Sequence, residues 1–174
     1  MIALKHVLVA TDFSEPAEVA VNYGRDLARA YDATLHVIHV IENMLAFYGP
    51  EIGFAMVDIE RNIESAVQRD LDAAISKHAG DPLKVITTVK QGSSVANAIT
   101  EYAEANAIDL IIVGTHGRGA VSRFLMGSVA ERVVRSAPCP VLTVRTQERD
   151  FVHVSEDQDS QQASLVGSPV TNHQ

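Results

Sequence analysis

Apolar positions along the chain alternate between continuous runs of strand length and one-sided stripes at spacings of three and four. Residues 6–11 (His-Val-Leu-Val-Ala-Thr) are apolar and β-branched, and predict a first, buried strand. Asp12, Phe13, Ser14, Glu15 and Pro16 then make a turn, with Ser14 the expected N-cap of a helix and Pro16 in its first turn. Ala17, Ala20, Val21, Gly24, Leu27, Ala28 and Tyr31 follow on one face of that helix. The same reading predicts strands at 33–41, 83–89, 109–114 and 140–145. It predicts helices at 59–79 (with Gly80 as a C-terminal stop), at 94–106 and around 128–136. Near-continuous apolar strands alternating with helices imply a parallel sheet covered on both faces. Right-handed crossovers then give a doubly wound, Rossmann-like α/β three-layer sandwich with a five-stranded, mainly parallel sheet. Ligands in such sheets lie beyond the carboxyl ends of the strands, where the winding reverses. That directs attention to Asp12, to Val40, Ile41 and Glu42, and to Gly114 onward.

Two segments break the alternation. Residues 43–57 are long for a connection between a strand and a helix and carry Phe47, Tyr48 and Phe54, so they read as a lid or packed cover. Residues 146–174 hold seven apolar residues in 29 and read as a mostly disordered, acidic extension beyond a domain at 1–145. Phe151, Val152, His153 and Val154 are the candidate in that extension for docking as an edge strand.

Composition narrows the class. With 174 residues, 47% hydrophobic and 21% charged, the chain has the size and balance of one globular domain. No uncharged apolar run approaches the ~18–20 residues of a membrane span, and the first residues lack the pattern of a cleaved signal. The single cysteine, Cys139, cannot form an intrachain disulfide, and the expected location is the cytoplasm. The net charge of −8 divides equally between the extension and the remaining 145 residues. A domain carrying only −4 argues against broad electrostatic binding to nucleic acid or an anionic membrane, as the missing apolar span argues against membrane insertion. A local anion site is a different matter, because residues 110–130 contain Arg118, Arg123 and His116 and no acid.

That stretch includes Gly114-Thr115-His116-Gly117-Arg118-Gly119 and, further on, Met126-Gly127-Ser128-Val129-Ala130-Glu131. Its glycines allow close approach of a ligand to the backbone. Ser128 and Glu131 have capping-box spacing at a helix start, where free amides and the positive dipole end favour anions. A Walker A loop is excluded, because no lysine occurs after Lys90. A dinucleotide fingerprint is excluded as well, because the first turn, Ala10-Thr11-Asp12-Phe13-Ser14, has no glycine. What stands is Gly-x2-Gly-x9-Gly-Ser at Gly114, Gly117, Gly127 and Ser128. Asp12 in Ala-Thr-Asp-Phe-Ser, the strand end His39-Val40-Ile41-Glu42 and the ending Ala137-Pro138-Cys139-Pro140-Val141-Leu142 accompany it.

On these motifs, residues 4–145 resemble the nucleotide-binding branch of the universal stress protein family. The resemblance implies bound ATP, with adenine near Asp12 and Val40, where Ala10 and Thr11 also enter the binding set. It places ribose and phosphates along Gly114, Gly117, Arg118, Gly127, Ser128 and Val129, with any Mg²⁺ held mainly by the phosphates. It also implies a homodimer through the strand at 140–145 and an unidentified client protein. His116 has no sequence-adjacent carboxylate to orient it and reads as a backbone partner. His36 and His39, three apart in a strand, point to opposite faces and cannot share an ion. Cys139 reads as a small buried hydrophobe. A phosphate cradle without a base describes a stress-response binding and signalling module better than a fast enzyme. The residues leave open a slow ATPase or phosphotransferase on the same site, and a nucleotide-free interaction module.

Overall fold

The computed structural model describes residues 2–42, 53–76, 83–115 and 126–145, with backbone only for 53–60. The expectations for Phe47, Tyr48, the side chain of Phe54, Gly80, His116, Gly117, Arg118, Arg123 and the extension at 146–174 lie outside the described residues.

Five strands form one sheet: β1 (His6–Ala10), β2 (Thr34–Glu42), β3 (Val85–Gly92), β4 (Leu110–Gly114) and β5 (Val141–Val144). Their order is β3-β2-β1-β4-β5, and every pairing is parallel, so the sheet is wholly rather than mainly parallel. Helices α1 (Glu15–Tyr31), α2 (Gly53–Ser76), α3 (Val95–Ala105) and α4 (Ser128–Ser136) cover it. The period of two in each strand divides the core. Val7, Val9, Leu35 and Val37 pack with Ala20 and Ala28 of α1 and Leu71 of α2. Leu8, Ile38, Ile111 and Val113 pack with Ile99 and Tyr102 of α3 and with Ala130 and Val133 of α4. Fully burying each large aliphatic side chain here contributes about 1.5–3 kcal/mol.

Small residues set how closely α1 lies on the sheet. A side chain at Gly24 would collide with Val9 and meet Leu35, so glycine lets the helix settle over β1 and β2. The helix ends at Asp32, in the left-handed region at φ 52°, with Ala33 donating back to the Ala28 carbonyl at 2.8 Å. At the same, amino-terminal end of the strands, the Asp109 carboxylate accepts the backbone N–H groups of Lys5 (2.6 Å) and His6 (2.9 Å) and so ties β1 to the start of β4. The Lys5 bond is the main reason its carboxyl is held below the usual range; the His6 bond and the charges of both residues act the same way, against a smaller burial effect.

Element boundaries depart furthest from the sequence reading at α2 and at β3, which starts at Val85 rather than 83. Helix α2 begins at Gly53 rather than 59, so the last residues of the expected loop are helical. Ala55 and Met56 are strong helix formers, and extending an existing helix by one turn costs far less than nucleating one. Strand β3 runs on to Gly92, because β2 extends to Glu42 and offers a ladder partner for Lys90, Gln91 and Gly92.

Candidate functional site

The chain adds β2 and β3 on one side of β1, then returns to place β4 and β5 on the other. The winding therefore reverses between β1 and β4, whose carboxyl ends lie side by side, with Ala10 paired to Val113. A cavity of about 380 Å³ opens there. Its walls come from the ends of β1 (Ala10, Thr11, Asp12), β2 (Ile38, Val40) and β4 (Val113, Gly114, Thr115), and from the first turns of α3 (Val95, Ile99) and α4 (Gly127, Ser128, Val129, Ala130). Ala10, Thr11, Asp12, Val40, Gly114, Gly127, Ser128 and Val129, separated by up to 119 positions in sequence, thus meet in one space. Gly117 and Arg118 are the two candidates outside the described residues. Thr115, Ile38, Val95 and Ile99 also line the cavity and were not singled out. Thr115 directly follows a strand end, which is a usable signal, whereas the apolar three read as ordinary core.

On the β1 side, side chains hold the loop. Thr11 continues the ladder through its N–H to the Ile38 carbonyl at 2.9 Å. The Asp12 carboxylate accepts both the backbone N–H of Ser14 (3.0 Å) and its hydroxyl. Ser14 occupies the N-cap position as expected, yet its hydroxyl turns to Asp12 instead of capping the helix; its carbonyl receives Glu18 N–H at 2.9 Å. Between them Phe13 adopts φ 63°, which is costly for a bulky side chain. Three contacts hold it there. Its N–H donates to Thr11 Oγ1 at 3.1 Å, its ring packs on His39 at 4.8 Å, and His39 Nδ1 lies 2.8 Å from the Thr11 carbonyl.

On the α4 side, backbone does the work. Thr115 N–H donates to the Val144 carbonyl (2.8 Å), and Gly127 N–H donates to the Thr115 carbonyl (2.7 Å). The helix N-cap is Gly127 rather than Ser128, so the expected capping box does not form. The shift of the N-cap has a cause: Thr115 fixes Gly127 with its carbonyl aimed at Glu131 N–H, 2.9 Å away, and Ser128 becomes the first helical residue. The first-turn amides of Ser128, Val129 and Ala130 are then left without an intrahelical acceptor, at the positive end of the helix dipole. Gly127 sits at φ −61°, ψ 146°, a conformation open to any residue, so its value lies in lacking a side chain. Gly114 has a structural reason of its own, because a Cβ there would stand 3.1 Å from three atoms of Pro16.

The histidines of β2 divide as alternation requires. His36 is buried on the α3 face, 2.9 Å from the Tyr102 hydroxyl and 3.2 Å from His6, while His39 faces the β1–α1 loop. Burial, and secondarily the His6 charge, lowers the His36 pKa below its ordinary value. Among the described residues, no group of three or more His, Cys, Asp or Glu side chains could hold a metal ion. No described helix is long and apolar enough to cross a membrane. Cys139 is half-buried, its thiol pushed up chiefly by burial and also by the Asp109 carboxylate.

The arrangement is a doubly wound sheet whose switch-point cleft joins a carboxylate loop to a helix N-terminus, a geometry chemically suited to a small molecule with an anionic end. Comparison with known proteins gives the class a family. The chain belongs to the universal stress protein family, whose model matches residues 3–145. A putative universal stress protein of Staphylococcus haemolyticus is 34% identical over 85% of this chain and 88% of its own. Among solved structures, the universal stress protein UspA from Lactobacillus plantarum superposes with a TM-score of 0.67, covering 83% of this chain and 100% of that one at 23% identity. A universal stress protein crystallised in complex with cAMP is 26% identical, with a TM-score of 0.58 over 83% of this chain and 99% of that one.

Proposed function

We propose that the cleft binds an adenine nucleotide, ATP above all, and that the protein is a nucleotide-dependent stress-response module rather than a fast enzyme. The observation that carries this reading is the pairing, in one cavity, of the Asp12 carboxylate with the Ser128, Val129 and Ala130 amides across apolar walls from Ile38, Val40, Val95 and Ile99. A carboxylate accepts hydrogen bonds from a ribose or base, apolar walls suit a flat ring, and helix-start amides suit phosphate. In this reading adenine and ribose lie by Ala10, Thr11, Asp12 and Val40. Phosphates run past Gly114, Gly127, Ser128 and Val129 toward Gly117 and Arg118, and Mg²⁺ is carried on the phosphates. The cAMP complex of the 26% identical relative supports the adenine-nucleotide class. Phosphoryl transfer needs a base to orient its nucleophile. The one carboxylate among the described cleft residues, Asp12, is already engaged with Ser14.

The proposed working unit is residues 1–145, acting in the cytoplasm and paired with its own copy. Strand β5 is an edge of the sheet, with Val141, Leu142 and Thr143 only partly buried. An apolar edge invites antiparallel pairing across a two-fold axis, which closes at two subunits. Native mass spectrometry of the freshly purified full chain tests both parts. The expected species is a dimer carrying one adenine nucleotide per subunit. A monomer that stays empty in millimolar ATP contradicts the reading.

A further inference from the structure

Two rows of side chains face each other between β2 and α3. Alternation puts His36, Ile38 and Val40 of β2 on the α3 face of the sheet, and spacings of four and three put Val95, Ile99 and Tyr102 on one side of α3. The upper members, Ile38, Val40, Val95 and Ile99, are cleft wall. The lowest pair is polar, buried and bonded across the gap, with His36 Nδ1 2.9 Å from the Tyr102 hydroxyl. What holds His36 to Tyr102 therefore also holds the α3 wall against β2, directly beneath the cleft.

The same histidine touches a second one. His36 Nε2 lies 3.2 Å from His6 Nδ1 of β1, with the rings edge to face. Such a contact needs one proton between the two nitrogens, donated by one and accepted by the other. Protonating both rings puts an N–H on each facing nitrogen and two positive charges in contact, which the pair cannot survive. Among the described residues, the groups around His36 supply no anion to offset a charge. Tyr102 faces it from α3, while β3 offers Ile86, its register partner, and Thr88, whose hydroxyl is 3.3 Å from that of Tyr102. The Asp109 carboxylate, bonded to the Lys5 and His6 backbone, interacts with the His6 charge rather than with His36. We infer that this pair is a pH latch on the cleft: in acid the histidines separate, the α3 wall eases away from β2, and the adenine nucleotide, on whose binding this regulation rests, is held more weakly. Binding favours the closed wall and therefore neutral His36. Affinity is full above the ordinary histidine value of about 6.5 and falls as pH drops below it, because burial and then the His6 charge lower His36.

Imidazole and backbone amide resonances of the isotope-labelled full chain, followed from pH 7.5 to 5 without nucleotide, test the latch. The Val95, Ile99 and Tyr102 amides are expected to shift with the midpoint of the His36 ring, while those of Ala20 and Ala28 on the other face of the sheet stay still. Tyr102→Phe cuts the link: His36 still titrates, and the Val95 and Ile99 amides no longer follow it. Calorimetry reads the consequence for the ligand. ATP affinity of the wild type, divided by that of His36→Gln at the same pH, is expected to fall about tenfold from pH 7.5 to 5, a ratio in which protonation of ATP itself cancels. Wall amides that ignore the His36 midpoint, an undiminished response in Tyr102→Phe, or a flat affinity ratio each overturns the proposal. If ATP binds at no pH, the nucleotide reading fails instead, and the wall amides alone decide the latch.

Discussion

The two sides of the cleft are built from different materials. The β1 side is a web of side chains: Asp12 on Ser14, Thr11 on Phe13, and His39 on both the Thr11 carbonyl and the Phe13 ring. The α4 side is backbone almost throughout, from Val144 through Thr115 to Gly127 and on into the first turn of the helix. Side chains give selectivity, since each presents a particular set of donors and acceptors. Backbone amides at a helix start attract any anion of suitable size. The α4 side is therefore sensitive to added bulk, whereas the β1 side is sensitive to lost groups.

Gly127→Val breaks the α4 side most severely. Valine accepts the φ −61°, ψ 146° backbone, so the fold should survive, while its branched side chain enters the space before the Ser128 and Val129 amides. ATP affinity is expected to fall at least about a hundredfold, which is some 2.7 kcal/mol or more, read by calorimetry. Wild-type affinity in a folded variant removes this turn from the site.

Asp12→Ala breaks the β1 side. ATP is expected to weaken about tenfold while inorganic triphosphate binds as well as before or slightly better, because the carboxylate serves the nucleoside and repels phosphate. Asp12→Asn sharpens the result. It keeps an acceptor for Ser14, so any loss it shares with Asp12→Ala comes from the ligand and not from the loop. Equal losses for ATP and triphosphate in Asp12→Ala would show that Asp12 merely supports the turn.

The smallest expected effect lies outside both sides and calibrates them. His36 is buried, hydrogen-bonded to Tyr102 and lowered in pKa by that burial and then by His6. A histidine lowered in the folded state contributes stability that is fully present above its unfolded pKa of about 6.5 and is lost as pH falls from there toward the folded value. Asp109, also lowered, loses its contribution only at more acid pH, below about 3.9. Urea unfolding should therefore show stability falling between pH 7 and 5. His36→Gln should flatten that slope, and an unchanged slope in the variant would locate the titrating group elsewhere.

How much of this was legible in the sequence depended on the range of the forces involved. Helix α4 at 128–136 and the alternation of strands with helices along the chain were readable because apolar period and breakers are local signals. The reversal point was readable too, since strand–helix alternation constrains the topology and topology places the cleft. The N-cap of α4 was misread by one residue, because the bond that decides it comes from Thr115, twelve residues away. The packing of Gly114 against Pro16 and of Phe13 on His39 depends on which strands are neighbours and in what register, which no spacing reveals. The true length of β3 likewise came from its partner: β2 carries the ladder past 89 to Gly92.

The central claim is that one ligand spans both sides of the cleft at once. The most direct measurement is an ATP titration of the isotope-labelled full chain followed through backbone amide resonances. The account predicts that Thr11, Asp12 and Val40 shift together with Ser128, Val129 and Ala130, all with the same dissociation constant, while Lys5 and Asp109 at the far end of the sheet stay still. Shifts confined to the α4 amides, or two groups of residues with different constants, would contradict it.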